Sequence, residues 1–188
     1  MNTETFSNFL LGPFYDLKRF TVGSVTAPPL SRIVTENEVA AAREVLTQVG
    51  CDLSRCTENN LHTWSSDLPP EQIFDLFRAW QAWPRSGFFA CPRIDSQGDE
   101  WFSYRWYRLI PIVQMKLKAA EKPHYIIYDI VSGVGVGGYH SFLFDPGDSR
   151  VNVSILTTFP KHPLFFEGLH DRVNHDIYAK LQYHEESR

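Results

Sequence analysis

The chain has 188 residues, of which 43% are hydrophobic and 21% charged, which suits one globular domain and excludes a disordered or fibrous protein. Its net charge of −4, with no cluster of basic residues, excludes a nucleic-acid-binding surface. No apolar run approaches the roughly 20 residues that span a bilayer, and residues 1–6 lack the basic start of a signal peptide. We therefore expect a soluble cytoplasmic protein without membrane insertion.

Residues 1–60 are predicted to form a helical extension packed on the main fold. Apolar residues between Phe6 and Phe20 recur at roughly helical intervals, and a clearer helix is expected over residues 35–49. Thr35 or Asn37 can cap its start, and Gly50 stands where a helix of this length ends.

The pattern changes at Leu61. A short strand is predicted over residues 61–66, followed by an amphipathic helix whose first turn contains Pro70. Its apolar stripe consists of Ile73, Phe74, Phe77 and Trp80. This helix must therefore lie against another element.

Strands dominate the next hundred residues. Residues 113–119 alternate between apolar and polar side chains, with Val113, Met115, Leu117 and Ala119 on one face, which predicts a half-buried strand. Further strands are expected over residues 124–131, 138–144 and 150–159, joined by short turns as an antiparallel meander.

The last predicted element is a long helix over residues 163–184. Its apolar residues fall three or four positions apart and form one continuous stripe: Phe166, Leu169, Val173, Ile177 and Leu181. An antiparallel sheet followed by such a helix buries its concave face by gripping that helix. A cavity between helix and sheet is then expected, and the 14% of aromatic residues would supply its walls.

Several segments resemble the helix-grip superfamily, which includes START lipid-transfer domains, polyketide cyclase-like proteins and the birch-pollen-allergen group. These segments are residues 65–74 (SSDLPPEQIF), Trp83-Pro84-Arg85, the strand at residues 116–118, and residues 138–146. The resemblance covers residues 61–184. It implies an α+β fold for residues 61–188, with a curved antiparallel sheet wrapped around the terminal helix and a cavity for lipids, polyketides, hormones or similar molecules.

Other motifs are discounted. The glycine run at residues 133–138 lacks the following helix and the Lys-Ser/Thr pair of a phosphate-binding loop, so a turn or bulged strand is expected. Cys51, Cys56 and His62 lack the fourth ligand of a structural zinc site. We therefore expect no metal and no cofactor.

Four residues are candidates for proton transfer. His140 shares a strand face with Phe142, and histidine gives or takes a proton near neutral pH. The alternative, which the sequence favours, is a structural histidine with a satisfied hydrogen bond. Tyr128 and Asp129 lie on opposite faces of one strand, so only one of them can face the cavity. His170 flanks the apolar stripe of the terminal helix.

The resemblance also implies a wall of ligand-binding residues. Arg105 is a candidate partner for a carboxylate or an enolate oxygen, although an exposed Arg stacked on aromatic rings is the commoner arrangement. The predicted wall consists of Trp83, Tyr104, Arg105, Tyr107, Met115, Phe142, Phe166, Leu169, Val173 and Asn174.

Two functions follow from this pattern. The first is cofactor-free cyclisation, dehydration or isomerisation of a polyketide-like substrate, because confinement alone lowers such barriers and few catalytic groups are needed. The alternative is a non-catalytic carrier or sensor of a hydrophobic molecule, which needs the same cavity and no titrating group. In either case the expected partner is a small hydrophobic ligand.

Overall fold

The computed structural model describes residues 35–79, 88–106, 110–147 and 149–160, together with 174, 177, 178, 181 and 184–186. The described part is an α+β structure built on seven antiparallel strands. The strands are β1 (Glu58–Ser66), β2 (Phe88–Ile94), β3 (Glu100–Trp106), β4 (Ile110–Glu121), β5 (Tyr125–Gly133), β6 (Tyr139–Pro146) and β7 (Val151–Phe159). The helices are α1 (Glu36–Gln48) and α2 (Pro70–Arg78).

The sheet has the strand order β1-β7-β6-β5-β4-β3-β2. Consecutive strands from β2 to β7 pair with each other, so the predicted antiparallel meander is confirmed. β1 joins the meander at its far edge by pairing with β7, from Glu58 opposite Phe159 to Ser66 opposite Val151. This long-range pairing leaves β1 and β2 as the two edges of the sheet.

One prediction about which side chains share a face of β4 is wrong. The pairing of β4 with β5 shifts between Leu117 and Ala119, so that Leu117 lies opposite Tyr128 and Ala119 opposite Ile127. Because a bulge adds one residue to one strand only, it reverses the side to which the following side chains point. Ala119 therefore does not share a face with Leu117, as simple alternation predicts.

One face of the sheet, which we call the inner face, is covered by α2 and by residues near the carboxyl end. Side chains from six strands, from α2 and from the carboxyl-terminal residues Ile177 and Leu181 form one buried cluster there. A close ring contact joins α2 to the sheet, with the ring centroids of Phe77 and Phe142 4.6 Å apart. The predicted apolar stripe of α2 is confirmed at Ile73, Phe74 and Phe77.

The opposite face, which we call the outer face, is covered by α1. Ala42 and Leu46 of this helix pack with Ile127 of β5 and Leu156 of β7. The start of α1 is capped by Thr35, whose side chain accepts a hydrogen bond from the backbone N–H of Glu38, so the predicted cap is confirmed. The proposed division of the chain at residue 60 stays a prediction.

The carboxyl-terminal residues that the structure describes are helical and lie on the inner face. The ring centroids of Tyr178 and Trp64 are 5.9 Å apart, and Ile177 and Leu181 are fully buried. The Glu185 carboxylate accepts hydrogen bonds from the Ser66 hydroxyl and the Asp67 N–H. The other positions of the predicted terminal helix lie outside the described residues, so the complete helix stays a prediction.

Candidate functional site

A row of polar side chains crosses the inner face of the sheet. The strand register places Tyr128 of β5 opposite His140 of β6, and His140 opposite Thr157 of β7. All three are buried, although the surrounding inner-face cluster is apolar. Directly opposed side chains lie about 5 Å apart at their Cβ atoms, so these three form one continuous polar group.

His140 is the central member of this polar row and is buried. The residue is only 6% exposed. Its Nδ1 lies 2.7 Å from the Thr157 Oγ1, and its ring centroid lies 4.9 Å from the ring centroid of Phe142. Burial lowers the pKa of His140 to about 3, because the charged imidazolium loses its hydration there. The imidazole is therefore neutral at physiological pH, with one nitrogen as donor and the other as acceptor.

Tyr128 is also almost fully buried, and its ring contacts that of Phe102 edge to face at a centroid distance of 5.1 Å. Burial raises the pKa of its phenol well above the ordinary value, and the nearby Arg78 guanidinium opposes part of that rise. The phenol therefore stays protonated at physiological pH and can act as a hydrogen-bond donor.

Arg78, at the end of α2, extends the polar row toward the edge of the sheet. Two of its nitrogens bind the two carboxylate oxygens of Glu100 on β3, at 2.9 Å and 2.7 Å. The hydrogen bond to Glu100 raises the pKa of Arg78 and lowers the pKa of Glu100. This bidentate pair fixes the guanidinium beside Tyr128.

Asp129, the carboxylic acid among the candidates for proton transfer, does not lie with Tyr128 and His140. It lies on the outer face, where its Oδ1 is 3.9 Å from the Lys118 Nζ. Burial raises its pKa and the charge of Lys118 opposes that rise. The sheet therefore separates Asp129 from His140 and Tyr128.

The predicted wall residues are only partly described. Met115 and Phe142 lie in the inner-face cluster, and Asn174 is buried near the carboxyl end. Arg105 is half-buried on β3, next to the register shift at Tyr104. The side chain of Tyr104 and all of His170, Trp83, Tyr107, Phe166, Leu169 and Val173 lie outside the described residues.

Sequence reasoning missed Thr157, Arg78 and Glu100. Thr157 shares a face of the predicted strand with Ile155 and Phe159, but its partner depends on the register between β6 and β7. Arg78 ends a predicted helix and Glu100 begins a strand that was not assigned, so their pairing had no local signal.

Within the described ranges, no group of three or more His, Cys, Asp or Glu side chains is arranged to hold a metal ion. Cys51 and Cys56 are buried there as free thiols. None of the helices in those ranges combines the length and apolar character needed to cross a bilayer.

No protein-family model matches the chain, and no curated protein matches its sequence. Solved structures match in fold. XoxI from Bacillus cereus is 14% identical, and the match covers 69% of this chain and 96% of that protein with a TM-score of 0.53. A protein from Rhodobacter sphaeroides is 12% identical, with coverage of 69% and 93% and a TM-score of 0.52. A protein from Deinococcus radiodurans is 14% identical, with coverage of 70% and 100% and a TM-score of 0.50.

Such likenesses show the fold alone. The antiparallel sheet that they share with this chain is compatible with a START-like or polyketide-cyclase-like fold.

Proposed function

We propose that this protein binds a small, largely apolar molecule against the inner face of the sheet, and that Tyr128 and His140 act on an oxygen of that molecule. The reaction class we propose is cofactor-free cyclisation, dehydration or isomerisation through an enol or enolate. The substrate would be polyketide-like or a related natural product.

The observation that supports this proposal best is the buried polar row of Tyr128, His140 and Thr157. Burying polar groups is unfavourable unless they are hydrogen-bonded, and an apolar row of similar size would pack the same space. Polar groups in a mostly apolar wall are typical of ligand sites, where they orient the bound molecule.

The protonation states define what the row can do. The raised pKa of Tyr128 keeps its phenol protonated, so it can donate to a carbonyl oxygen of the substrate. The depressed pKa of His140 keeps its imidazole neutral, and a neutral imidazole can donate or accept a hydrogen bond. Two neutral groups of this kind would stabilise an enolate oxygen without a metal.

The alternative is a carrier that binds the same molecule without changing it. The pKa of about 3 for His140 favours this alternative, because so weak a base removes protons slowly from carbon. In a carrier the same polar row would serve only to orient the ligand.

Native mass spectrometry of gently purified protein tests the proposal. We expect an added mass on the wild-type chain and a lower occupancy on Tyr128→Phe, which removes only the phenolic hydroxyl from the inner face. Tyr125→Phe is the matched control, because the Tyr125 hydroxyl donates to Glu121 at the surface. Equal occupancy in both variants would contradict a role for Tyr128.

The released molecule then separates the two functions. Incubation with fresh protein followed by mass spectrometry shows a chemically altered product for an enzyme and the unchanged molecule for a carrier. For an enzyme, loss of one oxyanion donor in Tyr128→Phe is expected to slow turnover by about 10²- to 10³-fold. A chain that retains no small molecule and binds none from an extract would overturn both functions.

A further inference from the structure

Two buried polar atoms on β1 lack partners in the part of the chain that the structure describes. They are the indole Nε1 of Trp64 and the side-chain Oδ1 of Asn60. Trp64 is 7% exposed and belongs to the inner-face cluster. Side chains four residues apart on a strand share a face, so Asn60 and Trp64 lie about 13 Å apart on the same side at about 3.3 Å per residue.

The Trp64 N–H is an unusual feature for a folded interior. Buried indole N–H groups normally find a hydrogen-bond acceptor, because an unmet donor loses its hydration without compensation. The neighbouring Tyr178 ring, at a centroid distance of 5.9 Å and an interplanar angle of 77°, packs against the indole. A phenylalanine would give similar packing without a donor.

Asn60 extends the polar row of the proposed site by one strand. The register places it opposite Thr157, which itself lies opposite His140. The row therefore runs from Asn60 through Thr157 and His140 to Tyr128 across four neighbouring strands. The Oδ1 of Asn60 is an acceptor at the β1 end of this row and requires a donor.

From these two atoms we infer that the ligand is an elongated oxygenated molecule, with a hydrogen-bond-accepting oxygen at Trp64 and an O–H or N–H donor at Asn60. The inference rests on the proposed function, since it assumes that an apolar molecule occupies the inner face. It gives the ligand one polar group at Trp64 and another at Asn60. These two groups are in addition to the oxygen that contacts Tyr128 and His140.

Two matched pairs of naphthalene probes test the acceptor and the donor separately. 2-Acetylnaphthalene carries a carbonyl acceptor and 2-ethylnaphthalene has the same shape without one. 2-Naphthol carries a hydroxyl donor and 2-methylnaphthalene lacks it. Equilibrium dialysis gives the ratio of dissociation constants within each pair for the wild-type chain and for variants.

We expect the wild-type chain to bind 2-acetylnaphthalene about 3- to 10-fold more tightly than 2-ethylnaphthalene, which corresponds to the contribution of one hydrogen bond. Trp64→Phe should abolish this preference, and Asn60→Leu should abolish the preference for 2-naphthol. Each variant serves as the control for the other, because each should leave the other pair's ratio unchanged. Thermal unfolding checks that both variants are folded.

Unchanged ratios in Trp64→Phe and Asn60→Leu would overturn the inference and leave the proposed function intact, provided that the probes bind. A wild-type chain that binds none of the four probes would contradict the proposed function, and the inference with it. A preference lost in both variants for both pairs would also overturn the separate roles of the two atoms.

Discussion

Two neighbouring threonines on β7 point to opposite faces of the sheet and differ in their hydrogen bonding. Thr157 and Thr158 are 2% and 0% exposed, so both are in the interior. The Thr157 hydroxyl lies 2.7 Å from the Nδ1 of His140, whereas the Thr158 hydroxyl has no hydrogen-bond partner among the described residues. Replacing each threonine with valine therefore separates the contribution of a hydrogen bond to stability from the contribution of packing.

We expect Thr157→Val to lower the free energy of unfolding by about 1–3 kcal/mol, because it leaves the buried His140 nitrogen without this partner. Thr158→Val should be neutral or slightly stabilising, since it replaces an unpaired hydroxyl with a methyl group of similar shape. Urea unfolding monitored by tryptophan fluorescence measures both changes. Equal losses in the two variants would show that the contact with His140 contributes nothing.

The burial of His140 also predicts how stability depends on pH. Its folded-state pKa of about 3 lies below the ordinary value of 6.5, so between these two pH values the unfolded chain binds a proton that the folded chain does not. This stabilisation is complete above pH 6.5 and is lost as the pH falls toward 3. The contribution has a slope of up to about 1.4 kcal/mol per pH unit.

Replacement of the titrating group tests this expectation. In His140→Gln the free energy of unfolding should change less steeply with pH between about 6.5 and 3 than in the wild-type chain. His124→Gln is the control, because His124 is exposed in the turn before β5. A wild-type slope retained in His140→Gln would mean that other groups produce the acid sensitivity.

The strands that hold the polar row depend on a close approach between β6 and β7. Gly138 stands directly before β6, and a Cβ atom there would overlap the backbone carbonyl of Thr158. Gly98, in the turn between β2 and β3, has a φ of +83° but open space around the position of a Cβ atom. The two glycines are therefore required for different reasons.

Alanine substitutions distinguish these reasons. Gly98→Ala should cost about 1–2 kcal/mol, the strain of a left-handed conformation. Gly138→Ala should cost about 3 kcal/mol or more, because two neighbouring strands must separate. Chemical unfolding measures the two costs, and hydrogen exchange at the amides of β6 and β7 should rise only in Gly138→Ala. Equal costs, or exchange unchanged in β6, would contradict the proposed close approach.

The elements themselves were largely predictable because their signals are local. The capped helix α1, the stripe of α2 and four of the strands follow from spacing within each segment, and His140 and Phe142 share a face as alternation requires. β1 was predicted too short, since its first three residues pair with β7 about a hundred positions away. The bulge near Lys118 has no local signal either. Thr157 and Arg78 were missed for the same reason, because their partners are set by register and packing between elements.

The part of the molecule that the structure describes is a sheet with a cluster of buried side chains on each face. The inner cluster contains Ile155 and the outer cluster contains Ile127, and both of these isoleucines are fully buried. The backbone of the sheet lies between the two clusters, so side chains in one do not touch those in the other. A ligand on the inner face would then affect α1 only through the sheet.

This separation predicts that substitutions on opposite faces act independently. Ile127→Val and Ile155→Val should each cost about 0.5–1.5 kcal/mol, and the double variant should show their sum within about 0.5 kcal/mol. Phe77→Leu and Phe142→Leu are the contrasting pair, because their rings are in contact at a centroid distance of 4.6 Å. We expect a coupling energy of about 0.5–1.5 kcal/mol in that double variant. Double-mutant cycles from urea unfolding measure both pairs. Coupling between the two isoleucines as large as that between the phenylalanines would mean that the faces communicate through a rearrangement of the sheet, and a ligand on one face would then be sensed by α1 on the other.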